Sequence, residues 1–120
     1  MRDITNSVLW PYCGKSAGIW KCPSDLSTVK VAGVTTPRVR SISMNAWFDS
    51  TDVEGFSPGF RMYKKFDDLT DPGPSMTWVF LDEREDSIND GELIIGMTGY
   101  PNTPSQWRIV DYPARRDFGE

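Results

Sequence analysis

The chain has no histidine among its 120 residues. Ser-His and Cys-His nucleophiles are thereby excluded, and so is the imidazole ligand of most zinc sites. The sequence also has no phosphate-binding glycine loop and no dinucleotide fingerprint. With these constellations missing, an enzyme is the least favoured class. No run approaches the roughly 18 apolar residues of a membrane helix, so insertion into a bilayer by this sequence is not expected. Ten Gly and nine Pro punctuate the chain and leave little room for long helices after the first dozen residues.

Cysteine is scarce. Cys13 and Cys22 enclose eight residues, among them Gly14 and Gly18, a spacing flexible enough for the two thiols to meet. A bond there would close a small loop worth roughly 2.5–3 kcal/mol and would suit an oxidising compartment. Two buried free thiols are the alternative. Metal binding by this pair is weak, because a structural zinc site wants four ligands.

What is present is a soluble, aromatic-rich composition. Mean hydropathy is -0.44, and 38% of residues are hydrophobic, with five Trp, four Tyr and six Phe, too many for a disordered chain. The length suits one domain. The net charge of -4 hides an asymmetry: residues 1–65 carry nine bases against five acids, and residues 66–92 carry nine acids against one base. Those bases are dispersed rather than striped, so nucleic-acid binding is not expected.

Local patterns predict short elements. Asn6 or Ser7 can cap a helical turn that runs up to Pro11. Val29, Lys30, Val31 and Val34 flank Ala32-Gly33 in the manner of a small hairpin or loop. Residues 38–44 alternate polar and apolar as a half-buried strand, and residues 76–81, 92–97 and 107–111 read as further strands. Residues 49–60 read as an irregular loop, and Asp71-Pro72-Gly73-Pro74 as a strong breaker. The fold class expected is α+β, mainly β: a small antiparallel sheet with a short N-terminal helical stub and long loops.

The most informative stretch is residues 79–91, where an apolar run breaks into a cluster of side-chain oxygens. Asp82, Glu83, Glu85, Asp86, Asn89 and Asp90 supply hard ligands that a turn can converge on calcium, although the spacing is not that of an EF-hand. Two structural readings compete with calcium: a solvated acidic loop, and one in which Arg84 bridges the carboxylates while Asp90-Gly91 forms a turn. Paired carboxylates also occur in glycosidases, but this spacing is not specific for that chemistry. Trp20, Trp47 and Trp107 lie beside polar residues and are candidates for a sugar-stacking platform, with aromatic core the favoured reading in so small a domain, and Trp78 and Trp10 are expected in the core.

Taken with Trp20-Lys21-Cys22-Pro23-Ser24-Asp25, Tyr63-Lys64-Lys65-Phe66, Thr70-Asp71-Pro72-Gly73-Pro74 and Val110-Asp111-Tyr112-Pro113-Ala114, the acidic stretch resembles a bacterial family of prepilin-type, pseudopilin-like proteins. Similarity runs from about Leu9 to Ala114. The resemblance implies a soluble head, normally preceded by a leader and an apolar helix and followed by a His, nine residues and Asp-Gly. This chain carries only head-like sequence, and after Ala114 it reads Arg115-Arg116-Asp117-Phe118-Gly119-Glu120 with no His. The expectation is therefore a single truncated head over residues 1–120. It would act as a structural or interaction unit of a secretion or surface filament at the periplasm or cell surface, with other pseudopilin-like subunits or secretion machinery as partners. A secreted calcium- or glycan-binding module is the alternative.

Overall fold

The computed structural model describes residues 2–49 and 62–115. The loop expected over residues 49–60 lies outside them, except for Asp49. Two compact units divide the chain, Met1–Ile42 and Ser43–Glu120. Seven short strands lie among the described residues with little helix, so the fold is mainly β with α+β character, the class expected.

The first unit opens with helix α1, Arg2–Asn6, whose Ile4 side chain is buried. The expected helical stub is present, but it ends before Ser7 rather than starting there. Ser7 anchors the next turn, with its Oγ accepting the Leu9 N–H at 3.2 Å and its carbonyl accepting the Trp10 N–H at 3.0 Å. A 3-10 turn then covers Trp10–Cys13 with Pro11 in its first turn, where no N–H is needed. Gly14, at φ 61°, ends it in the left-handed conformation that glycine adopts without strain.

Strands β1, Thr28–Val31, and β2, Val34–Pro37, pair antiparallel in the register Val31 to Val34 and Thr28 to Pro37. Ala32 at φ 50° and Gly33 at φ 82° make the two-residue connection. Two positive φ angles in succession match the twist of the flanking strands, which is why this short hairpin closes where Ala-Gly interrupts the valines.

The second unit contains two small sheets. Strand β3, Ile42–Asn45, opens at the unit boundary and lies between β4, Phe80–Asp82, and β5, Glu92–Leu93. β3 and β5 run parallel, with Met44 opposite Glu92 and Asn45 opposite Leu93. Strand β6, Ile95–Gly96, pairs antiparallel with β7, Arg108–Ile109. The expected strands at residues 38–44 and 76–81 are shorter and shifted. Arg38 to Ser41 precede β3, and Met76 closes a 3-10 turn, Pro74–Met76, whose proline start favours helical φ.

Trp47 follows the core reading rather than the sugar-platform one. It is only 5% exposed and belongs to the core with Ala46, Tyr63 and Ile94, against which Phe48, Met62, Leu69, Met97 and Val110 pack. Asn45 and Asp49, two positions to either side, obscure the apolar Ala46 and Phe48 in the sequence, and the Tyr63 N–H, donating to the Trp47 carbonyl at 2.8 Å, brings a distant segment to the same core. Trp10 and Trp78, expected in the core, are instead half-buried. No helix among the described residues is long and apolar enough to cross a membrane.

Candidate functional site

The acidic stretch begins inside a strand. Asp82 is the last residue of β4, and Glu83 forms a bridge with Pro113 in antiparallel sense. Backbone bonds continue this pairing: the Ala114 N–H donates to the Asp82 carbonyl at 2.7 Å and the Arg84 N–H to the Tyr112 carbonyl at 2.8 Å. Two segments nearly thirty residues apart in sequence are thus zipped together.

Side chains reinforce the clasp. The Arg84 guanidinium lies 4.2 Å from the centroid of the Tyr112 ring, within the range of a cation–π contact. Its Nε also donates to Asp86 Oδ1 at 2.5 Å. Ser87 closes the turn, with its Oγ donating to the Arg84 carbonyl at 3.1 Å and accepting the Tyr112 N–H at 3.2 Å. The bond from Arg84 holds the Asp86 carboxyl below the usual aspartate range, and the same bond raises the guanidinium.

Glu83 departs from the expectation of a solvated acidic loop. It is 1% exposed, and the Ser43 hydroxyl on β3 donates to its Oε2. Glu83 sits at the bridge to Pro113, and the turn that follows, closed by the Ser87 N–H on the Arg84 carbonyl at 3.0 Å, leaves Glu85 and Asp86 facing solvent. Asp90 uses Oδ1 to accept the Glu92 N–H at 2.8 Å, an Asx turn where a turn was expected at Asp90-Gly91. Asn89 is exposed beside it.

Asp111 is the group that sequence reasoning passed over. It is 5% exposed, and its Oδ2 accepts the Ile94 N–H at 2.8 Å. Burial pushes its carboxyl above the ordinary aspartate value, the Ile94 N–H opposes that rise, and the charge of Asp90 adds to it. The available signal was an acid set directly after the apolar pair Ile109-Val110. Elsewhere, Asp68 accepts the N–H groups of Lys64 and Lys65 at 2.9 and 3.1 Å, which lowers its pKa.

Of the six side chains expected around calcium, Glu83, Asp86 and Asp90 thus serve three different partners. Among the described residues no group of three or more His, Cys, Asp or Glu side chains is gathered to hold a metal ion. Cys13 and Cys22 are both free thiols, so the pairing weighed from their spacing is not formed in this structure. Cys13 Sγ lies 3.3 Å from the Trp10 carbonyl, and Cys22 Sγ 3.0 Å from Ser24 Oγ. Comparison with family models, curated proteins and solved structures returns no match for this chain.

Proposed function

We propose that the chain serves as a structural or protein-interaction head of a pseudopilin-like subunit in a bacterial secretion or surface filament. The observation that supports this reading is the clasp itself. The acidic stretch and the segment around Asp111-Tyr112-Pro113, which carry the resemblance, interlock through Glu83, Arg84 and Ser87. The residues most suggestive of chemistry are thus engaged in holding backbone segments together. Such an arrangement presents a fixed surface, and Glu85 and Asp86 stand on it as exposed acids.

The test is direct binding. The purified chain, titrated against soluble heads of pseudopilin-like subunits from the same genome, should bind at least one saturably, with a Kd of about 1–100 μM, and the Arg84→Glu variant should bind more weakly. Immunogold labelling should place the protein on surface or periplasmic filaments. Failure to bind any such head, together with absence from filaments, would overturn the proposal.

A further inference from the structure

Residues 98–107 form a loop of unusual chemistry between β6 and β7. It carries two aromatic rings, two prolines, two amides and the hydroxyls of two Thr and one Ser, with no charged side chain and no Val, Leu, Ile or Met. The Tyr100 and Trp107 rings lie 5.7 Å apart between centroids at an interplanar angle of 30°, and Trp107 is 38% exposed. Asn102, Ser105 and Gln106 stand exposed on the same loop. We propose that this loop binds a neutral glycan chain, with Trp107 as the stacking platform and the amides of Asn102 and Gln106 as hydrogen-bonding partners for sugar hydroxyls.

Three features carry the proposal. A pyranose offers an apolar face of C–H groups and a rim of hydroxyls, which matches an aromatic ring flanked by amides. The absence of charge disfavours phosphate, nucleic acid and acidic peptides, and the absence of Leu, Ile, Val and Met sets the loop apart from an apolar protein-docking surface.

The loop is also held in one shape before any ligand arrives. The N–H groups of Asn102 and Thr103 both donate to the Gly99 carbonyl, at 3.0 and 2.8 Å, and a 3-10 turn, Pro104–Gln106, delivers Trp107 with its N–H on the Pro104 carbonyl at 3.1 Å. Gly99 sits at φ 74°, where an added Cβ would come within 2.8 Å of the Thr103 side chain and 3.0 Å of Gln106 Oε1. A site ordered in advance loses less entropy on binding.

The experiment titrates the full chain with cellohexaose, chitohexaose and maltohexaose up to about 10 mM while following tryptophan fluorescence and, independently, heat release. At least one of the three should give a saturable change. Trp107→Ala should weaken it by about tenfold or more, Trp107→Phe less, and Trp10→Phe, in the other unit, not at all. Circular dichroism of the Trp107 variants should match the parent, as expected for an exposed side chain. No saturable signal with any of the three sugars, or binding that Trp107→Ala leaves unchanged, would overturn the proposal.

Discussion

Asp111 and Ile94 exchange bonds in both directions: the Ile94 N–H reaches the Asp111 carboxylate at 2.8 Å, and the Asp111 N–H reaches the Ile94 carbonyl at 3.2 Å. The reason lies in the strands on either side. β5 ends at Leu93 as a parallel partner of β3, and β6 starts at Ile95 as an antiparallel partner of β7. Ile94 is the residue at which the chain changes ladders, and a buried N–H there needs an acceptor that neither ladder supplies. The carboxylate of Asp111 is that acceptor.

Asp111→Ala should therefore cost about 1–3 kcal/mol, because it leaves the buried Ile94 N–H unsatisfied, whereas Asp111→Asn keeps an acceptor oxygen and should cost less. Urea unfolding of the three proteins checks the order. Equal stability of the Ala and Asn variants would show that another group satisfies Ile94.

The pH dependence of stability should contain two opposed contributions. Asp111 has its folded pKa raised above the 3.8 of a free aspartate, so the folded state holds that proton more tightly than the unfolded chain. Its contribution is present below 3.8 and fades as pH rises through the folded value. Asp68 and Asp86 are lowered from 3.8, so theirs is present above 3.8 and fades as pH falls through the folded values. Asp86 is exposed and Asp68 half-buried, and salt should weaken their share, that of Asp86 most. Unfolding free energies measured from about pH 2.5 to about pH 7 should thus fall less steeply toward acid in Asp86→Asn than in the parent, and Asp111→Asn should remove a loss of stability on the alkaline side of 3.8.

Calcium binding by the acidic stretch would require rearrangement. Calcium takes six to eight oxygens, whereas here Glu83 is turned inward to Ser43, Asp86 is held by Arg84, and Asp90 caps the Glu92 N–H. Melting temperatures in chelator, calcium and magnesium at constant ionic strength should agree within about 1 °C. Arg84→Ala releases Asp86, so a calcium response, where one exists, should be larger in that variant. A saturable rise in the parent would show that the clasp opens for the ion, with about 2.7 kcal/mol gained at a hundredfold excess over Kd.

The features legible in the sequence were those decided by neighbours along the chain. Ala32-Gly33 between valines marked the hairpin, and the Asx turn at Asp90 and the link between Arg84 and an adjacent carboxylate follow from residues within a few positions of one another. Long-range pairing was not legible. Nothing in the period of residues 38–44 announces that Met44 will lie beside Glu92 in a parallel ladder, and the burial of Trp47 depends on Tyr63 arriving from elsewhere. Glu83 and Asp111 were obscured for a related reason: a buried carboxylate has the same sequence appearance as a solvated one, and only Ser43 and Ile94, brought by other strands, distinguish them.

The hairpin turn offers a stabilising change. Ala32, at φ 50°, is an L-residue with a side chain in the left-handed region, where Cβ crowds the following carbonyl; asparagine tolerates that region better. Ala32→Asn should raise stability by about 0.5–1 kcal/mol, since Asn-Gly is the preferred pair for two successive positive φ angles. Gly33, at φ 82°, should respond in the opposite sense. A Cβ added there meets nothing within 4 Å, so Gly33→Ala would be destabilised by backbone conformation alone, with no clash to relieve. Amide hydrogen exchange at Val29 and Thr36, a hydrogen-bonded pair by alternation from the Arg38 N–H on the Ser27 carbonyl, reads the effect locally, and urea unfolding reads it globally. Slower exchange in Ala32→Asn and faster exchange in Gly33→Ala are expected. Faster exchange in Ala32→Asn would mean that the turn does not hold two left-handed residues in solution.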